Sequence, residues 1–212
     1  MITGTESSAK EKIILRAQDR FLREGFAKTT VDDLTSEISM SKKTFYKVFS
    51  SKEDLVEQLT ERFLGEARRT IESVVGGPGS FVKKLQAMIS VLATVARIVD
   101  SPMVLDLERH LPRVWRKVED FRRKRILENF TLLIQQGIRE GHIRPEVNTR
   151  LLVLSFVAAI QNVIRPTLLA DESFSAREAI GGIVQMFFQG VMTPGGREAF
   201  DAARKQLHTY AE

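Results

Sequence analysis

The sequence predicts an all-α protein: an N-terminal three-helix helix-turn-helix domain, followed by a larger C-terminal helical domain. Three observations lead there. Apolar residues recur at three- and four-residue spacing along the 212 residues, and no stretch alternates in the manner of a half-buried strand. Thr29 to Asp54 reads as two short capped helices joined by a tight turn and followed by the start of a third. Gly76-Gly77-Pro78-Gly79 makes the clearest break in the chain. The expected domains are residues 1–55 and 56–212.

The head is predicted as follows. Met1 to Ser8 is polar and is expected to be disordered. Ala9 to Glu24 forms a helix with Ile13, Ile14, Ala17, Phe21 and Leu22 on its apolar face and Gly25 as its stop. Thr30 is a natural N-cap with Asp33 as its returning acid, so a helix starts near Val31 and turns Val31, Leu34 and Ile38 inward. Ser39-Met40-Ser41 breaks that pattern, and Ser41 caps a second helix whose inward residues are Phe45, Val48 and Phe49. Ser50 or Ser51 caps the next, with Glu53 or Asp54 as its acid.

Behind the head, Leu55 to Val75 continues as a long amphipathic helix with Leu55, Leu59, Phe63, Ala67, Ile71 and Val74 in one stripe. Helices are then expected from Ser80 to Val99, from Ser101-Pro102 to about His110, and from Pro112 to about Gly141. A further one, capped by Asn148 or Thr149 and interrupted by Pro166, runs to about Ala170. Ser175 caps another to about Met192, and Thr193-Pro194 opens a last helix through Ala202 and Leu207.

The second short helix carries the chemistry. With Phe45, Val48 and Phe49 inward, Lys42, Lys43, Thr44, Tyr46 and Lys47 face outward, and Ser39 to Lys52 holds four lysines and no acid. A short cationic helix rich in hydrogen-bond donors suits the major groove of double-stranded DNA. A lysine run alone reads more readily as a solvated face. The turn, the caps and the aromatic pair behind the lysines carry the DNA reading. Position matters more than amount: residues 1–55 hold ten Lys/Arg and nine Asp/Glu, a net of only +1.

Gly25-Phe26, Thr29-Thr30-Val31, Ser41-Lys42-Lys43-Thr44-Phe45-Tyr46-Lys47-Val48-Phe49 and Ser51-Lys52-Glu53-Asp54-Leu55 together resemble the N-terminal domain of TetR-family transcriptional regulators, over roughly residues 10 to 58. The family often has Gly where Ser39 and Lys43 stand, and His is common where Lys47 stands. Ser39 implies either a turn without a positive φ or one that tolerates it in Ser. The resemblance implies a homodimer that reads a palindromic operator with two heads roughly 34 Å apart. Expected DNA contacts are Thr30, Ser41, Lys42, Lys43, Thr44, Tyr46, Lys47 and Lys52, with Lys10 and Lys12 near the backbone. In the family the long helix after the head acts as a lever from a ligand pocket to the DNA.

Leu151 to Ile160 and Gly181 to Gly190 are unusually apolar. A helix apolar all round must be covered all round. A second chain meets that need economically, and the family pairs these two helices with their copies. The family also keeps a small-molecule pocket among its middle helices. The candidate lining is Met88, Leu92, Trp115, Phe130, Phe156 and Gln161, joined by Phe81, Leu85 and Asn162, each of which reads more readily as plain core. Its apolar character points to a small hydrophobic ligand. The expected function is a dimeric regulator, a repressor released by that ligand. The alternative is a protein-interaction module that DNA merely localises.

Composition narrows the classes. Net charge is +5, and apolar and charged shares of 43% and 28% are those of a globular protein. With no cysteine, disulfides, thiolate metal sites and thiol redox sensing are excluded. His110, His142 and His208 have no metal-binding spacing, and neither a phosphate loop nor a nucleophile elbow is present. No metal, cofactor or catalytic residue is therefore expected. Neither a secretory signal nor a run of membrane-spanning length is visible, so a cytoplasmic protein without a membrane partner is expected. Arg122-Arg123-Lys124-Arg125 is a second basic run, read as a solvated helix face.

Overall fold

The computed structural model describes residues 4–209, with side chains described over 7–202. Met1 to Thr3 and the side chains of Leu207 and His208 lie outside the described residues. Among the described residues twelve α-helices follow one another: α1 (Gly4–Glu24), α2 (Val31–Glu37), α3 (Lys42–Val48), α4 (Lys52–Gly76), α5 (Phe81–Val99), α6 (Pro102–His110), α7 (Pro112–Arg125), α8 (Thr131–Arg139), α9 (Thr149–Val163), α10 (Pro166–Asp171), α11 (Ala176–Val191) and α12 (Pro194–Thr209). Among the described residues there is no strand, only one isolated antiparallel bridge between Ile143 and Met192. Two boundaries differ from the sequence reading. Helix α1 already begins at Gly4, so the polar start is helical there. The helix expected from Pro112 to Gly141 contains a π turn, Ile126–Phe130, between α7 and α8.

The chain divides into two compact units. The first is Met1–Gly65 with Asp100–Val118, and the second is Glu66–Val99 with Glu119–Glu212. The first unit thus reaches past residue 55 and takes in α6 and the start of α7. Local bonding explains this. Helix α1 packs on α6 as well as on α2 and α3. The Asp106 carboxylate on α6 accepts the Ala27 N–H at 2.8 Å. Lys117 on α7 pairs with Glu57 and Glu61 on α4 at 2.6 and 2.7 Å. Gly25 matters here twice. Its φ is +84°, and a Cβ would lie 2.5 Å from Asp106 Oδ2. Only glycine meets both demands without strain.

The core of this unit is made by Ile13, Ala17, Phe21, Phe26, Leu34, Phe45, Phe49, Leu55 and Leu59, all buried. Burying each Phe or Leu side chain contributes about 1.5–3 kcal/mol, which is what lets such short helices hold.

The second unit has its own core, with α5 against α8, α11 and α12, and α9 against α8, α11 and the π turn. Its centre is aromatic. Phe130 stacks on Phe156 at 4.2 Å, Phe188 meets Phe130 edge-on at 5.7 Å, and Phe200 stacks on Phe188 at 5.7 Å. Capping boxes open helices in both units, Thr30 with Asp33 and Ser175 with Glu178. No single helix among the described residues is long and apolar enough to cross a membrane.

Candidate nucleic-acid interface

Helix α2 is fixed at its entry. Thr30 Oγ1 accepts the Asp33 N–H at 3.1 Å, and Asp33 Oδ2 accepts the Thr30 N–H at 2.8 Å and its hydroxyl at 2.7 Å. These bonds to the Thr30 backbone and hydroxyl hold the Asp33 carboxyl below its ordinary value. At the far end, Glu37 accepts from both Arg16 and Arg20 of α1, and the Arg16 bond lowers its pKa first of all. The turn follows. Ser39 has φ 52°, so the turn does require a positive φ and holds it in serine. The Met40 N–H then donates to Thr35 O at 2.8 Å.

Ser41 starts the recognition helix α3. Its Oγ accepts the Thr44 N–H at 3.1 Å and shares a hydrogen bond with Thr44 Oγ1 at 2.9 Å. Phe45 and Phe49 are buried with ring centroids 5.6 Å apart, so the helix is pinned by one face. The Tyr46 ring stands edge-on to Phe45 yet stays 54% exposed. Lys42, Lys43 and Lys47 are exposed around it. The fold therefore gathers Lys42, Lys43, Tyr46 and Lys47 on one short surface, with the Thr30, Ser41 and Thr44 hydroxyls engaged in the caps beside it.

Lys42 and Lys52 are engaged differently from their neighbours. Lys42 Nζ lies 2.7 Å from Asp32 Oδ2. Lys52 turns its ammonium onto the Phe26 and Thr29 carbonyls at 2.8 and 2.9 Å and over the Phe26 ring. It ties the start of α4 to the α1–α2 loop. Sequence reasoning overlooked Asp32 and the loop partners of Lys52. An acid ten residues ahead of a lysine gives no pattern until the turn brings the two together.

The candidate ligand residues divide between the units. Trp115 is buried in the first unit. Met88, Leu92, Phe130, Phe156 and Gln161 belong to the second. Phe130 and Phe156 stack on one another, Leu92 packs half-buried on the same core, and Met88 and Gln161 are half-buried. Of the other lining candidates, Phe81 and Leu85 are core, and Asn162 is exposed with its amide donating to Ala158 O at 2.7 Å. Phe187 and Phe188 of α11 join this aromatic group and were not anticipated. In the second basic run, Arg122 donates to Ile164 O, Arg123 pairs with Asp120, and Arg125 pairs with Glu72 and Glu128. Two of its four cations thus face carboxylates and a third a backbone carbonyl. Among the described residues, no group of His, Asp and Glu could hold a metal ion.

Comparison with known proteins agrees with this geometry. The sequence model described as "Bacterial regulatory proteins, tetR family" matches residues 13–59, which cover α2, α3 and their supports. The chain is 23% identical over 185 residues to the uncharacterized HTH-type transcriptional regulator YvaF of Bacillus subtilis, covering 85% of this chain and 95% of that one. Its fold resembles the ketosteroid transcriptional regulator KstR2 of Mycobacterium tuberculosis, with TM-score 0.57, 20% identity, and coverage of 91% and 100%. It also resembles a transcriptional regulator from Saccharomonospora viridis solved in complex with choline, with TM-score 0.68, 16% identity, and coverage of 88% and 99%. The capped helix-turn-helix with its exposed lysines and the family model that matches it together mark residues 13–59 as a DNA-binding head of the TetR-family kind.

Proposed function

We propose that the protein acts as a homodimeric repressor that holds a palindromic operator and is released from it by a small hydrophobic ligand. The observation that carries the DNA half is the surface of Lys42, Lys43, Tyr46 and Lys47 on a helix anchored by Phe45 and Phe49. In this reading Lys43 and Lys47 reach base edges or phosphates. Tyr46 adds a hydroxyl and an aromatic edge. Lys52, already bonded to two carbonyls, places the start of α4.

Support for a dimer comes from apolar side chains left exposed on two helices. Leu151 and Leu154 of α9 are 63% and 44% exposed, and Met186 of α11 is 66% exposed. Leu151, Leu154, Ser155, Ala158 and Asn162 follow a helical repeat on one exposed stripe. Gly181, Gly182 and Gly190 of α11 each face open space, which permits close helix approach. A second copy covering these faces makes an interface of the obligate, apolar kind.

Support for a ligand comes from α5. Of residues 86–95 none is fully buried, although the stretch includes Met88, Ile89, Val91, Leu92 and Val95. Half-open apolar side chains above an aromatic core suit a hydrophobic guest. The structural neighbours' names, one a ketosteroid regulator and one bound to choline, differ in ligand chemistry. They favour a small organic ligand as a class, and the lining here favours an uncharged one. Ligand need only bind more tightly to a state whose heads are wrongly spaced.

The test is selection of duplexes from a genomic pool by the purified protein, followed by competition with hydrophobic small molecules. Enrichment of a palindrome and its release by such a molecule is the expected outcome. An enriched palindrome that no hydrophobic ligand releases would leave the regulator without its inducer and contradict the ligand half.

A further inference from the structure

We propose that Asp32 is a positioning residue for DNA discrimination, holding Lys42 so that it reads bases and does not bind phosphate indiscriminately. The inference rests on DNA recognition through α3. Lys42 is the first residue of that helix, and the leading residues of a recognition helix meet base edges. Its ammonium lies 2.7 Å from Asp32 Oδ2, with the two side chains 56% and 64% exposed.

The two acids of the first turn of α2 divide the work. Asp33 is consumed by the Thr30 cap. Asp32 takes no part in that cap, yet it reaches across the turn to Lys42. Stability does not account for such a pair, because exposed ion pairs contribute little. Charge does not favour it on a DNA-facing surface either, since phosphates repel a carboxylate.

Direction accounts for it. A lysine ammonium has three donors on a flexible stem. With one donor on Asp32, the other two are confined to restricted directions, and a guanine offers O6 and N7 as a pair of acceptors to such donors. A phosphate of an arbitrary duplex that approaches Lys42 also approaches the repelling carboxylate of Asp32. Lys43 and Lys47 carry no ion pair among the described residues and supply the general attraction. Asp32 thereby lowers affinity for wrong sequences more than for the right one.

The experiment uses the full chain as wild type, Asp32→Ala, Asp32→Glu, Lys42→Ala and the Asp32→Ala/Lys42→Ala double variant. Each is titrated across a salt series with a duplex that the wild type selects from a random pool and with a scrambled duplex of equal composition. Asp32→Ala is expected to bind the scrambled duplex about five- to tenfold more tightly at ~0.1 M salt and to steepen its log–log salt slope by about 0.9. Affinity for the selected duplex should change less than twofold, so the discrimination ratio falls about five- to tenfold. Asp32→Glu should restore the ratio. On the Lys42→Ala background, removing Asp32 should change either affinity less than twofold.

An equal gain on that background would show a bulk charge effect and overturn the proposal. So would an unchanged ratio in Asp32→Ala, or equal losses on both duplexes. Failure of the wild type to enrich any sequence would instead count against the DNA reading beneath it.

Discussion

The two units finish their surfaces in different ways. In the first, helix entries and loop carbonyls are closed internally: Thr30 with Asp33, Ser41 with Thr44, Lys52 with Phe26 and Thr29, and Asp106 with Ala27. What it leaves exposed is chiefly charge, with Tyr46 on α3 and Leu15 on α1 as its exposed large apolar or aromatic side chains. The second unit leaves hydrocarbon exposed, on α9 at Leu151 and Leu154 and on α11 at Met186. A surface of the first kind is complete in one chain and offers itself to a polyanion. A surface of the second kind gains by being covered. On the proposed function, the difference places DNA recognition within a single head and leaves operator geometry to the pairing of two chains.

The largest effect should come from breaking the uncovered faces. Leu154→Asp with Met186→Asp places charge on both, and dimer association should weaken by more than 100-fold while helix content persists. Sedimentation across a concentration series measures this. A double variant that stays dimeric would move the interface elsewhere.

Next is the glycine at the junction of α1 and its loop. Gly25→Ala forces a side chain into positive φ and against Asp106, and it should cost about 3 kcal/mol in urea unfolding. A cost under about 1 kcal/mol would mean that the loop relaxes freely.

Lys52→Ala removes an ammonium from two carbonyls and should cost about 1–3 kcal/mol. It should also weaken binding to every duplex alike with little change in salt slope, because that ammonium is already engaged with the protein. A slope reduced by about 0.9 would make Lys52 a phosphate contact after all.

Ser39→Gly works in the opposite direction. It relieves a positive φ at the price of a looser unfolded chain, and should stabilise the protein by about 0.5 kcal/mol.

Acid gives the smallest effect. Asp33 and Glu37 are held below their ordinary values of 3.8 and 4.5 by bonds to Thr30 and to Arg16. Their contribution is therefore complete above pH 4.5 and is lost as pH falls through the depressed native values, which lie below 3.8 for Asp33 and below 4.5 for Glu37. Thermal midpoints should hold from pH 7 to about 5 and decline below about 4, less so in Glu37→Gln.

The sequence made the head legible because its signals are local. Thr30 and Asp33 are three residues apart, Ser41 and Thr44 likewise, and the inward Phe45 and Phe49 repeat at helical spacing. Partners far apart in the chain were not legible. Asp106 bonds a backbone N–H 79 residues away, and it draws α6 into the first unit although Gly76-Gly77-Pro78-Gly79 separates the two in sequence. A lysine advertises charge but not direction, so Lys52 reads as a phosphate contact until its carbonyl partners are known. The π turn at Ile126–Phe130 replaces one turn of a continuous apolar helix and alters no residue pattern. Trp115 looked like pocket lining because it is bulky and mid-chain. Its burial in the first unit depends on how α7 folds back beside α4, through Lys117 and its two glutamates.

The most direct test is wild-type selection from random duplexes, repeated across a salt series, with the mass of the bound complex measured. Two inverted half-sites about one helical turn apart, bound by two chains with affinity falling steeply as salt rises, is the predicted result. Salt-sensitive binding with no enriched sequence, or a single chain on a single half-site, would contradict it.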